Sequence, residues 1–260
     1  LDLVRGEWRK YNASFMQPGE YIVDELADTP FEVSAVNIEE NSNKVPVNYV
    51  LPPGINRESD PMNPQHRQLN EQSMSLKVCG LQDGDARAVY KNVNLDVRRY
   101  LRLKMFIHAE SVPGEQPIQD NDISVFVRLG TDYKNNYYEY EIPLKVTQPG
   151  NYNPNSDGDR RLIWPDSNQM NILLDSLTKV KQLRNTDGAS QLLPYDVTMA
   201  NGVKISLKGN PDLGQATVMM IGIKNPRKII GENEFTDDGQ SKCAEIWVNE
   251  LRMAGFDEQG

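Results

Sequence analysis

The sequence predicts a mainly β fold: two packed antiparallel sheets in a jelly-roll-like sandwich, with one amphipathic helix. Three observations predict it. Apolar and polar residues alternate with a period of two through most of the chain. Clusters of Gly, Pro, Asn and Asp separate the alternating runs. One stretch alone carries apolar residues at spacings of three and four.

The strands are read in chain order. "FEVSAVNIEEN" and "VPVNYVLPPG" are strand-like, but between Leu51 and Asn70 the chain is polar and broken by prolines that cannot donate to a sheet ladder. Residues 1–70 are therefore expected to form an extended lead-in whose strand-like segments pack on a sandwich of residues 71–260. In "LRLKMFIHAE", Leu101, Leu103, Met105, Ile107 and Ala109 occupy one face and Arg102, Lys104, Phe106, His108 and Glu110 the other. "DISVFVRLG" repeats the pattern with Ile123, Val125, Val127 and Leu129, and "YYEYEIPL" with Tyr138, Tyr140, Ile142 and Leu144. "GVKISLKG" (Val203, Ile205, Leu207), "ATVMMIGI" and "AEIWVNELRM" complete the set. Leu103, Met105, Ile107, Val125, Val127, Tyr140 and Ile205 are the expected core, since each lies on the apolar face of its run. Between the strands lie "LQDGDA", "ESVPGEQPIQDND", "TQPGNYNPNSDGD", "KGNPDLG" and "TDDGQ". The helix is placed at 168–184, where Met170, Leu173, Leu174, Leu177, Val180 and Leu183 share a stripe, Asp166 or Ser167 supplies a cap and Gly188 lies beyond the end.

Composition narrows the function. With 38% hydrophobic and 25% charged residues the chain is an ordinary globular one. Its 28 basic against 37 acidic residues give a net charge of −9, which repels a phosphate backbone, so nucleic acid is not an expected partner. The longest apolar run, Val218 to Ile223, is far shorter than the roughly 18 residues of a membrane helix. The two cysteines, Cys79 and Cys243, could form a disulfide if the first and last strands of the sandwich are neighbours, but cysteine is also one of the most buried residue types and sequence alone does not give the Cα separation a bridge requires, so unpaired buried thiols are the commoner expectation.

Catalytic chemistry is sparse. His66 lies in the polar lead-in, and His108 shares a strand face with Glu110, a spacing at which the two side chains can share a proton. A solvent-facing or structurally satisfied pair is the commoner outcome of that spacing. The chain has no Gly-x-Ser-x-Gly elbow, no phosphate loop and no cluster with zinc-ligand spacing, so no catalytic, cofactor-binding or metal-binding residue is assigned and no enzyme activity is expected. "NPNSDGDRRLIW" places Asn153, Asn155, Asp157 and Gly158 as in a calcium loop, but Arg161 and Trp164 stand where the later ligands belong. Trp8, Trp164, Trp247, Tyr133 and Tyr137 are the aromatics available to a sugar platform, although Trp247, inside a strand, reads as core.

The runs "SAVNIEEN", "YVLPPGINRE", "LNEQSMSLKV", "DGDARAVYKN", "LDVRRYLRLKMFIHAE" and "AEIWVNELRMAGFDE", in that order, closely resemble the SprA (Sov) family of outer-membrane translocons of the type IX secretion system of gliding and protein-secreting bacteria. The resemblance spans most of the chain. It implies an internal fragment of a much longer protein, which accords with a chain that opens at Leu1 with neither an initiator methionine nor a signal sequence and stops just after a well-marked strand. It further implies a structural or interaction domain without catalysis or cofactor, in the periplasm or at the cell surface. Its partners would be other parts of the parent translocon, secretion-system components and secreted cargo. Charged outer strand faces and long polar loops do not match a lipid-facing barrel, so the segment is expected to be soluble and outside the bilayer. The competing expectation is a carbohydrate-binding β-sandwich at the cell surface.

Overall fold

The computed structural model describes residues 8–11, 14–17, 20–22, 29–57, 68–231, 233 and 237–256. Four strands come from the lead-in: β1 (Arg9–Tyr11), β2 (Ser14–Gln17), β3 (Glu20–Ile22) and β4 (Phe31–Asn37). Then follow β5 (Gln72–Leu81), β6 (Ala86–Leu95), β7 (Tyr100–Ser111), β8 (Ser124–Gly130) and β9 (Tyr137–Pro143). Helix α1 (Asp157–Ile163), β10 (Met170–Leu173) and α2 (Leu174–Thr186) form the next block. The fold closes with β11 (Tyr195–Thr198), β12 (Lys204–Lys208), β13 (Ala216–Lys224) and β14 (Lys242–Phe256).

Two antiparallel sheets carry the architecture, one of seven strands in the order β1-β6-β13-β8-β9-β12-β11 and one of five in the order β10-β7-β14-β5-β4. They form an antiparallel sandwich, as the alternation predicts. Their facing sides hold the main core, with Leu76, Leu103, Met105, Ile107 and Ile246 from the five-stranded sheet against Val125, Val127, Ile205, Ile221 and Ile223 from the seven-stranded one. Six of the seven expected core residues are buried; Tyr140 is half-buried and packs at the margin. Burial of this apolar surface is the main stabilising term.

Residues of the lead-in enter both sheets, β1 pairing with β6 and β4 with β5. "VPVNYV" does not form the expected strand: among the described residues it makes a single parallel bridge, Val47 to Gly150. Pro46 has no amide hydrogen for a ladder, and the segment instead lies across the outer face of the five-stranded sheet.

The helical region also differs from expectation. Among the described residues there are two α-helices rather than one, and the stripe expected at 168–184 divides. Met170 and Ile172 are buried and Asn171 exposed in β10, which pairs with β7, and the helix begins only at Leu174. Neither Asp166 nor Ser167 caps it, since both lie in a short 3-10 turn upstream. Leu174, Leu177 and Val180 face the core, while Leu183 is 49% exposed. An open hydrogen-bonding edge on β7 outweighed local helical spacing, because pairing there satisfies backbone groups that a helix would leave bare. The other helix, α1, begins at Ser156, whose hydroxyl accepts from the Asp159 amide at 3.2 Å. Among the described residues no helix is long and apolar enough to cross a membrane.

Candidate functional site

The outer face of β7 carries Phe106, His108 and Glu110, and the register sets them beside Asn249, Trp247 and Glu245 of β14. On an exposed sheet these would be solvated. Here a second core lies over them, built from Val36, Val47, Tyr49, Val50 and Leu51 of the lead-in and from Ile163 and Trp164 at the end of α1. The five-stranded sheet is thus packed on both faces over the middle of its length, and a polar cluster is sealed inside.

His108 has no exposed surface and its ring stacks on Trp247 at 3.9 Å with 28° between the planes. Its Nε2 lies 3.1 Å from Glu110 Oε2, and its Nδ1 lies 3.0 Å from the Ile163 carbonyl and 3.1 Å from Thr147 Oγ1. The Thr147 hydroxyl donates to the Leu162 carbonyl at 3.2 Å. Together they meet carbonyls at the C-terminus of α1 that have no partner within the helix.

Lys44, in the turn after β4, completes the cluster. Its ammonium pairs with Glu110 Oε1, lies 3.3 Å from Glu245 Oε2 and sits 5.0 Å from the Trp247 ring centroid. Glu245 also accepts from Ser75 Oγ at 2.9 Å and from Trp247 Nε1 at 2.8 Å. Burial pushes the Glu245 carboxyl up, but Lys44 and these hydrogen bonds outweigh it and hold the group below the usual carboxylate range. Nearby, Trp164 Nε1 donates to the Val50 carbonyl at 2.8 Å, and Tyr49 shares a hydrogen bond with Ser73 at 2.8 Å. Burial raises the Tyr49 hydroxyl far above its ordinary value. Asn48 is bound to Tyr152 by two hydrogen bonds of 2.9 and 2.7 Å, tying the lead-in to the segment before α1.

His108 and Glu110 are therefore brought together as their spacing suggests, in a place where neither has an open side from which to exchange a proton with a surface-bound molecule. The cluster joins six separate stretches of chain, at Lys44, Ser75, His108 with Glu110, Thr147, Leu162 with Ile163, and Glu245 with Trp247. Lys44 was missed by sequence reasoning, and a lone lysine in a polar turn carries no signal that it will reach two carboxylates on another layer. His66 lies outside the described residues.

Asn153 and Asn155, with their neighbours, organise the start of α1. The Asn153 side chain accepts from the Asn155 amide at 2.9 Å, and Asp159 Oδ2 accepts from the Asn153 amide at 2.7 Å. Of the five aromatics considered for a sugar platform, Trp164, Trp247 and Tyr137 are buried, whereas Trp8 and Tyr133 are half-buried. Tyr133 packs with Tyr11 and Tyr90 on the outside of the seven-stranded sheet, at centroid distances of 5.3 and 5.1 Å. Trp164, Trp247 and Tyr137 thus offer no exposed ring face, leaving the predicted set without a planar array.

Cys79 and Cys243 form a disulfide between β5 and β14, which are adjacent strands. Of the two outcomes compatible with the sequence, the paired one holds.

Fold and cluster together define an antiparallel β-sandwich whose smaller sheet is sealed by its own lead-in. The family model SprA_N, described as motility related/secretion protein, matches residues 1–260, and the chain belongs to that family. A comparison with curated proteins finds no match.

Proposed function

We propose that this chain is a non-enzymatic structural and interaction domain of an outer-membrane translocon of the type IX secretion system, the machinery that also serves gliding motility. The observation that carries the reading is the match of a motility and secretion family along the whole of residues 1–260. The site geometry supports it: the one close histidine–carboxylate pair among the described residues, His108 with Glu110, is spent on holding layers together. The disulfide supports a location in an oxidising compartment, the periplasm or the cell surface, where such bonds persist. The domain would be soluble, with the parent protein in the outer membrane. Its partners would be other parts of the translocon, secretion-system components and secreted cargo, and not nucleic acid.

The test is deletion of residues 1–260 from the full-length protein in its host. Cargo secretion and channel abundance in the outer membrane are followed together, because instability alone lowers abundance. Loss of secretion at normal abundance is expected. Normal secretion by the deleted channel would overturn the reading.

A further inference from the structure

β7 ends at Ser111 and turns through Val112, Pro113, Gly114 and Glu115, with the Glu115 amide donating to the Val112 carbonyl at 3.2 Å. Gly114 holds φ +84°, the left-handed conformation that such a turn requires at its third residue. The turn brings Glu115 back over the start of β14. There its carboxylate and the sulfurs of Cys79 and Cys243 lie within 4.8 Å of one another.

The two cysteines are half-buried and Glu115 is exposed, so the carboxylate stands close to any thiol that reaches the bond. Other charges nearby are largely engaged. Lys44 pairs with both Glu110 and Glu245, and Lys242 is held by Asp122 at 3.1 Å and Asp238 at 2.8 Å. Lys77 lies two residues before Cys79 on β5.

We propose that Glu115 is an electrostatic guard of the Cys79–Cys243 disulfide, protecting it against exchange with anionic thiols. In exchange, a thiolate attacks one sulfur, a new S–S bond forms, the old one breaks, and the displaced cysteine leaves as a thiolate that then takes a proton from water. A second thiolate attacks the mixed disulfide and releases the other cysteine, so two electrons pass from two thiols to the protein. The incoming group and the leaving group are both negative beside Glu115. Each encounter is disfavoured, by a factor of about four to five for unit charges at this range in water. The guard therefore discriminates by the charge of the reductant.

The experiment compares initial rates of disulfide cleavage by 2-mercaptoethanesulfonate, which is anionic, and cysteamine, which carries an ammonium. Equal thiolate concentrations are used on the intact chain and on Glu115→Gln, with alkylation and mass spectrometry as readout. Glu115→Gln is expected to speed the anionic thiol about fivefold and to speed cysteamine less, because its ammonium offsets the repulsion felt by its thiolate, with the difference shrinking in high salt. Equal acceleration by both thiols would mean a loosened fold, and unchanged rates would mean no field at the bond. Either result overturns the proposal.

Discussion

Single residues show how closely side chains fit, on the outer face of the seven-stranded sheet as well as in the cores. Gly222 in β13 lies across from Phe126, and a Cβ added there would sit 2.3 Å from the ring and 2.9 Å from the Ala88 Cβ. Gly222→Ala is expected to destabilise by about 1–3 kcal/mol through overpacking, measurable as a lower urea midpoint. Lys44 acts through charge. Replacing it with Met leaves Glu110 and Glu245 facing each other without a cation, and a loss of about 3 kcal/mol is expected in the same measurement. Stability should also follow the carboxylates. Burial would raise Glu141, but Lys224 and Lys204 outweigh it, so Glu141, like Glu245, lies below its ordinary value of 4.5. A group depressed on folding contributes stability that is complete above the unfolded value and is lost as pH falls through it towards the folded one. Urea midpoints should therefore fall progressively below about pH 4.5, and Glu245→Gln should have a shallower acid limb. An equally steep limb in the variant would assign the acid sensitivity elsewhere.

At the scale of elements, strands were far more legible than helices. Alternation marked β7, β8, β9, β12 and β14 because each sends one apolar face into the main core while the opposite face carries polar or aromatic residues, even where that face is covered as well. β10 was missed because "MNILL" satisfies both periods over so short a span, and only the neighbouring β7 decides between them. The spans of β5 and β14 bring Cys79 and Cys243 together, which no spacing rule across 164 residues foretells. That bond closes a long loop of the unfolded chain. Replacing both cysteines with serine is expected to cost about 2–5 kcal/mol, seen as a denaturation midpoint close to that of the reduced native chain. Coincident midpoints for oxidised, reduced and serine forms would show that the bond adds nothing.

Across the whole molecule the consequential feature is the third layer. The stretch from Val36 to Leu51, with Ile163 and Trp164, turns a solvent face into a second core, and Trp247, His108 and Glu110 owe their environment to it. The same packing commits the Asn153 to Asp159 loop to starting α1, so thermal melts with chelator and with added calcium should coincide. A rise in melting temperature with calcium would mean that the loop can release its capping bonds to a cation. The sequence by itself determined the sandwich class, the inward residues of most strands and the closeness of His108 to Glu110, because those depend on periods of two along a single chain segment. Only the tertiary structure decided that the outer face of the five-stranded sheet is covered and that Lys44 reaches Glu110 and Glu245. It alone decided that Cys79 meets Cys243 under Glu115. Each of these joins residues far apart in the chain, and such contacts arise from packing whole layers against one another, which no local pattern encodes.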